Sequence, residues 1–511
     1  MYSVIATAAV HGIGGMVMQV ETDVCSGMPE FEMVGILSSE VREAKARIRS
    51  AIRNSGYQLP PKKVTVNLCP ADVRKSGTGF DLPIALSVLA AHGLLDTEKA
   101  KHTLFTGEIT LKGDLRPVKG IFPMVLAAKE AGYRDVVVPQ ENAKEACFVK
   151  EIAIHPADSL TQVIAWLKGE ERPEIQPFNI EETGAEALAE VDFSEINGQR
   201  LLRRACEVAA AGMHNLLMAG PPGSGKTMAA RAMPGILPPL REEEMTELAK
   251  IYSVSGLFDE RKEKLAVRPF RSPHYSVTRA ALVGGGAVPV PGEISLAHKG
   301  ILFLDELTEY EKPVLEQLRQ PLEERQIHLV RSSGTYSYPA DFMLVAAMNP
   351  CNCGYYPDVE KCTCTPGAVR RHLQKISRPL LDRMDMFVEA PRVRIEELGA
   401  LGKNESSAGI RRRVQEAHAL QKERYRKEAF SYNSRVVSER IDQYCPMDRE
   451  AKRQLEKAFD ELDLSARAYY RLIRVARTIA DLAGSQKIQG NHMREALLYR
   501  SMDDVLWRRG L

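Results

Sequence analysis

The stretch "GPPGSGKT", Gly220 through Thr227, follows an apolar run and opens a helix-forming segment in the pattern G-x-x-x-x-G-K-[ST]. That spacing suits phosphate chemistry. Gly220, Pro221, Pro222, Gly223, Ser224 and Gly225 shape a loop whose backbone N–H groups can wrap phosphates at a helix N-terminus. Lys226 then reaches the outer phosphates, and the Thr227 hydroxyl can ligate Mg²⁺. The expected ligands are ATP and Mg²⁺. Further along, "GILFLDEL" places Asp305 and Glu306 at the end of a second apolar run. In that Walker B pattern Asp305 holds the Mg²⁺ and Glu306 polarises the attacking water.

A third constellation is "NPCNCGYYPDVEKCTCTP", which holds four of the nine cysteines: Cys351, Cys353, Cys362 and Cys364. Four thiolates in a reducing compartment favour one structural Zn²⁺ in tetrahedral S₄ geometry, with no open position for catalysis. An iron–sulfur cluster or an empty thiol cluster are the alternatives. The polar loop between the pairs has too little apolar content to order itself. A metal would fix it between Asn349 and Arg383, with Tyr355, Tyr356 and Lys361 facing outward. The remaining cysteines are scattered, which fits a reducing environment better than a disulfide framework.

Elements must position these residues. A chain of 511 residues exceeds one hydrophobic core and predicts several domains. Its 44% apolar and 27% charged content and formal net charge of +2 describe an ordinary soluble globular protein, so a nucleic-acid surface has to be a local patch. The first Lys or Arg is Arg42 and no long uncharged apolar run occurs, so a cytoplasmic protein with no membrane segment is expected. Residues 1–165 alternate strand-like and helical runs, 166–191 read as an acidic, Pro-containing linker, 192–395 form a second α/β module and 396–511 show helical periodicity. The expected class is α/β with a helical C-terminal lid.

The run "FMLVAAMN" ends in Asn349, which resembles sensor 1 of AAA+ ATPases, a polar residue that orients the attacking water. Arg383 in "RPLLDRMDMFVEAP" sits where the chelatase-like branch of that superfamily carries an arginine finger reaching into the neighbouring subunit. Arg467 in "LSARAYYRLIRVART" resembles a sensor 2 arginine on the lid, with Arg471 and Arg474 one and two turns further along. Together with "PFRSPHYSVTRAALVGGG", "REEEMTELAKIYSVSGL" and "PLEERQIHLVRSSGTYSYPADF", these motifs resemble the ComM/YifB family of magnesium-chelatase-like AAA+ ATPases over essentially the whole chain. The resemblance implies a central AAA+ P-loop NTPase domain and a homo-hexameric ring. For competence proteins of the family it implies a helicase that drives branch migration during integration of transforming DNA.

The N-terminal module, through "FTGEITLKGDLRPVKGIFPMVLAAKEAGYRDVVVPQEN", is similar to the Lon protease domain, an S5-like α/β fold. Lon activates a serine with an adjacent lysine. Here Gly79 stands at the serine position and Phe122 at the lysine position, while Ser76 and Lys119 are each offset by three residues. The domain is expected to be a scaffold or nucleic-acid platform without peptidase activity.

Candidate DNA contacts are Arg271 and Arg279 before Walker B and Arg331 at the tip of a hairpin, since cations can bind phosphates without touching bases. Arg331 could equally solvate a loop. The basic run from Arg411 to Lys427 has seven Lys or Arg against two Glu and reads as DNA contact or as a solvated helix face. The leading expectation is a hexameric, ATP-dependent DNA translocase or helicase acting in recombination or natural transformation. The alternative is a motor that remodels a protein partner.

Overall fold

The computed structural model describes residues 1–170, 190–258, 266–286, 289–331, 334–358, 360–392, 404–462, 464–500 and 506–507. Most of the expected linker (171–189), the hairpin-turn residues 332–333 and the expected boundary at 395 lie outside them.

The N-terminal domain is built on a seven-stranded sheet in the order Glu30–Val34, Lys63–Cys69, Gly14–Cys25, Tyr2–His11, Thr103–Phe105, Asp135–Pro139, Ala153–Ala157. Tyr2–His11 and Gly14–Cys25 pair antiparallel as one long hairpin, while the strands beyond them on the Thr103 side run parallel. The helix Asp81–Ala91, "DLPIALSVLAA", has no polar face and is accordingly buried at every residue. Its single charge is tolerated because Arg47 meets the Asp81 carboxylate through two hydrogen bonds, of 2.8 and 3.1 Å.

At the two Lon-like positions the structure offers no dyad. A side chain at Gly79 would meet the Thr106 hydroxyl at 2.9 Å. The Phe122 ring is buried and stacks on Phe258 of the next domain, 6.4 Å between centroids. Lys119 lies along Gly256, and no hydrogen bond joins it to Ser76 among the described residues. The same face carries further contacts between domains, including the Ser253 hydroxyl donating to Glu145 at 2.5 Å. His11, beside the hairpin turn, packs on Tyr336 at 5.5 Å.

The second domain holds a five-stranded, all-parallel sheet in the order Phe270–Arg271, Ile301–Leu304, Met343–Met348, Leu216–Ala219, Met386–Glu389. Strands such as "MLVAAM" are covered on both faces and so read as unbroken apolar runs. Asn215 staples one end of the three strands nearest the P-loop. Its side-chain amide donates to the Arg383 carbonyl at 2.9 Å, its Oδ1 accepts from the Leu344 N–H at 2.9 Å, and its own N–H donates to Asp385 at 2.9 Å. Asp385 is buried and is held ionised, against desolvation, by His214, Arg471 and that N–H.

Four lid helices, Ser407–Arg424, Arg449–Glu461, Ala466–Leu482 and Gly490–Leu498, share one hydrophobic core with the ATPase-domain helix Arg200–Gly212. At its centre Asp481 accepts from Arg424, Arg477 and Asn433, all within 3.2 Å. Part of the basic run is therefore structural: Arg411 donates to the Gly235 carbonyl, Arg413 to Glu207 and Arg424 to Asp481. Among the described residues no helix is long and apolar enough to cross a membrane.

Asn215 generates a prediction. Asn215→Ala strips the buried Leu344 N–H and Arg383 carbonyl of partners, at about 1–3 kcal/mol for each group left unsatisfied. The first thermal unfolding transition should move down by several degrees. An unchanged transition would mean that strand register does not rest on this side chain.

Candidate functional site

The P-loop is shaped by close packing as much as by phosphate needs. The chain leaves Leu216–Ala219 at Gly220, where a Cβ would stand 2.1 Å from the Ala390 carbonyl oxygen, so only glycine fits. Gly223 (φ +74°) and Gly225 (φ +86°) take left-handed backbone in open space, turning the chain into the helix Lys226–Ala232. The Lys226 ammonium donates to the carbonyls of Gly220 (2.8 Å) and Pro221 (2.9 Å), and to Ser224 Oγ and Asn349 Oδ1, both at 3.3 Å. Burial pulls its pKa down to about 8, with the Asp305 charge opposing the shift.

Thr227 Oγ1 donates to Asp305 Oδ2 at 2.7 Å, so the two expected Mg²⁺ ligands already face each other. Glu306 follows on the exposed side, its N–H donating to Asp305 Oδ1 at 2.9 Å. Its φ of +51° is a strained value for a non-glycine residue, of the kind held at functional sites. Asn349 is anchored through its carbonyl, which accepts from His372 Nε2 at 3.0 Å. Lys226, Thr227, Asp305, Glu306 and Asn349 thus gather at the C-terminal ends of three parallel strands, where open α/β sheets bind ligands.

Arg383 and Arg467 lie elsewhere. Arg383 precedes the strand Met386–Glu389, which runs parallel to Leu216–Ala219, so it sits at the end of the sheet opposite the P-loop. It is buried, donating to the Arg319 and Pro379 carbonyls and pairing with Glu323 at 2.6 Å. Arg467 is exposed and reaches the same Glu323 oxygen at 3.4 Å. Arg471, one turn on, is half-buried against Asp385 at 3.2 Å. Arg383, Arg471 and Arg474 line a cavity of about 200 Å³ with Arg325 and Arg435, and burial lowers the pKa of Arg471 and of Arg325 to about 10 each. Sequence reading missed Arg325 and Arg435 because no local pattern marks them.

The candidate DNA residues divide. Arg271 is clasped by Glu293 through two 2.7 Å contacts. Arg331, exposed at the end of the strand Gln326–Arg331, approaches Gly285, where the helix Arg279–Val283 also packs through Ala280. Arg279 is exposed and donates to Gln317 at 3.3 Å.

The cysteines come together as a group able to hold a metal ion, all four sulfurs within 4.8 Å of one another. Three of the spacings are 3.3, 3.6 and 3.7 Å; a tetrahedron with Zn–S near 2.3 Å sets sulfurs about 3.8 Å apart. Cys351 is fully buried in the core beside Met348 and Leu373. Lys361 faces solvent as expected, whereas Tyr356 turns in and packs on that core because its N–H donates to Cys351 Sγ.

Known proteins resemble the chain over nearly its whole length. The family described as "Magnesium chelatase, subunit ChlI" matches residues 192–398, and its C-terminal domain family matches 404–500. "Subunit ChlI of Mg-chelatase" matches residues 20–142. An uncharacterized protein YifB of Salmonella typhimurium is 42% identical over 511 residues, covering 99% of this chain and 98% of its own. A competence protein ComM of Haemophilus influenzae is 40% identical over 508 residues, again covering 99% and 98%. A Lon protease of Methanosphaera stadtmanae is 26% identical over 183 residues, 33% of this chain and 22% of that one.

The Lys226 environment predicts a proton linkage. Phosphate should restore the charged amine that burial disfavours. At pH 7 the free amine is already mostly protonated, so nucleotide binding takes up little. Near about pH 9 it starts mostly neutral, and uptake should approach one proton per site by single-group linkage. Titration calorimetry in buffers of different ionisation enthalpy reads this directly; equal heats in all buffers at the higher pH would show that Lys226 stays charged.

Proposed function

Because this chain belongs to the magnesium-chelatase-like AAA+ ATPase family that includes YifB and ComM, we propose that it assembles as a homo-hexamer and couples ATP hydrolysis to DNA translocation. The reading continues to branch migration in recombination or natural transformation, in the cytoplasm. What carries the assembly is the split of the chemistry between two ends of one sheet. Lys226, Thr227, Asp305, Glu306 and Asn349 form a nucleotide and Mg²⁺ site with no arginine among them, and the arginine-lined cavity opens at the other end. Two copies set head to tail bring one subunit's cavity to the next subunit's site, and such a heterologous contact closes into a ring.

In that arrangement each residue has a task. Lys226 exchanges its carbonyl partners for phosphate oxygens. Thr227 and Asp305 would hold Mg²⁺, and Glu306 and Asn349 would orient the attacking water. Arg383 leaves Glu323 to meet the phosphate charge that develops in the neighbouring site, a role worth about 10³–10⁵ in rate in other NTPases. Arg467 pairs with the same carboxylate and is released by the same movement.

The name of the competence relative supports DNA as the track, as does the convergence of the Arg279 helix and Arg331 on Gly285. The N-terminal domain, lacking a hydroxyl at Gly79 and an amine at Phe122, serves as a scaffold and not as a peptidase. The cysteine cluster holds a structural Zn²⁺; four thiolates and a near-tetrahedral spacing match that ion.

The test has two parts. Inactive Lys226→Ala and Arg383→Ala proteins, mixed under exchanging conditions, should recover part of the ATPase rate, because mixed rings contain intact interfaces; no recovery sinks the trans assignment. Four-way or displaced-strand DNA should raise the wild-type rate several-fold at one fixed salt concentration. Stimulation by unfolded protein and not by DNA would move the reading to a protein-remodelling motor.

A further inference from the structure

The four-cysteine loop touches the nucleotide site itself. Gly354, between Cys353 and Cys362, has φ +83°, and a Cβ there would stand 2.5 Å from Pro222 Cδ and 3.3 Å from Pro221 Cα. These are the second and third residues of the P-loop. The Pro221 carbonyl is one of the acceptors that hold Lys226. On the other side, Asn349 lies two residues before Cys351 and also accepts from Lys226. The loop thus reaches the catalytic lysine by two routes, through Asn349 and through the Pro221–Pro222 backbone.

What keeps that loop in place is limited. Among the described residues its polar contacts are mostly turn hydrogen bonds, such as those from the Gly354 N–H to the Cys351 carbonyl (3.0 Å) and from the Cys362 N–H to the Asp358 carbonyl (2.8 Å), with an exposed Lys361–Asp358 ion pair. Exposed pairs of this kind contribute little. Of the four cysteines only Cys351 is fully buried; Cys353, Cys362 and Cys364 are half-buried against the same core, as is Tyr356. An ion bound by all four sulfurs ties the outer three to the anchored one.

We propose that the metal-held cysteine loop is a wall of the nucleotide site, and that the ion's occupancy sets nucleotide affinity by pressing Gly354 against Pro221–Pro222. The proposal rests on the reading of the cluster as a Zn²⁺ site. With the ion bound, the loop backs the first turn of the P-loop and limits its conformations before nucleotide arrives, so less ordering remains to oppose binding. Without it, the prolines lose their support and Asn349 loses its partner segment. Glycine at 354 is then a positioning residue, selected by left-handed backbone and by contact together.

The test separates metal from contact. Zinc content by elemental analysis and the Kd of a fluorescent ATP analogue, in Mg²⁺, are measured on wild type, on wild type stripped with a chelator that spares Mg²⁺, on Cys362→Ser/Cys364→Ser, and on Gly354→Ala. Wild type should carry about one zinc per chain, the stoichiometry of one four-ligand site. Stripped and double-serine proteins should bind the analogue about tenfold or more weakly, with re-added Zn²⁺ restoring the stripped protein. Gly354→Ala should keep its zinc and still bind about tenfold more weakly, as overpacking against the prolines requires. Zinc-free wild type overturns the metal reading itself. Zinc-loaded wild type whose Kd is unmoved both by stripping and by Gly354→Ala overturns the coupling and leaves the metal site standing. If the double-serine protein fails to fold, the stripped wild type and Gly354→Ala still decide.

Discussion

Asn215 is the residue on which the rest of the ATPase domain is registered. One short amide side chain and its own backbone tie together the segments at the start of three different strands, with the side chain largely buried. A buried polar group costs most when unpaired, so this arrangement tolerates few alternatives. Fixing the strands at one end fixes the other, because a strand of four to six residues in a packed parallel sheet is stiff. Lys226 and Asn349 come level at the far ends of two of those strands for this reason.

The same staple sets the opposite face. The Arg383 carbonyl is an Asn215 acceptor, and Asp385, which accepts from the Asn215 N–H, also takes Arg471 from the lid. The arginine cavity is therefore built on the anchor of the sheet. Arg471 and Arg325 lie close to other cations of this group, and burial weakens their hold on charge. Glu323 sits at the edge of this group and binds both Arg383 and Arg467. In the proposed ring, a neighbouring subunit's phosphate would take the place of Glu323 and leave no bare guanidinium. In the nucleotide site, carbonyl oxygens stand in for phosphate at Lys226 and a hydroxyl proton stands between Thr227 and Asp305. Both ends hold their charged groups with partners that a ligand can replace.

The N-terminal domain is joined to this machine through apolar contact. Phe122 fills a place where catalysis by a Lon-type dyad needs an amine, and uses it to stack on Phe258. Phe148 meets the same ring edge-on at 5.2 Å. Position 122 is part of a domain interface. The helix Glu242–Ser255 also belongs to that interface, through Ser253 and Glu145.

The P-loop, the Walker B pair and the cysteine pairs could be read in the sequence because each is a local pattern whose spacing is dictated by chemistry or by strand and helix geometry. The alternation of strand-like and helical runs showed the α/β modules for the same reason. Tertiary structure alone decided which arginines meet. Arg383 and Arg467 are far apart in the chain and share a carboxylate from a third segment. Arg325 and Arg435 join them with no signature at all. Much of the basic run on the first lid helix turned out to be occupied by Glu207, Asp481 and a backbone carbonyl, which charge counting cannot reveal. Long-range pairing depends on where the core folds each segment, and a glycine such as Gly354 becomes critical only when a proline more than a hundred residues earlier is packed against it.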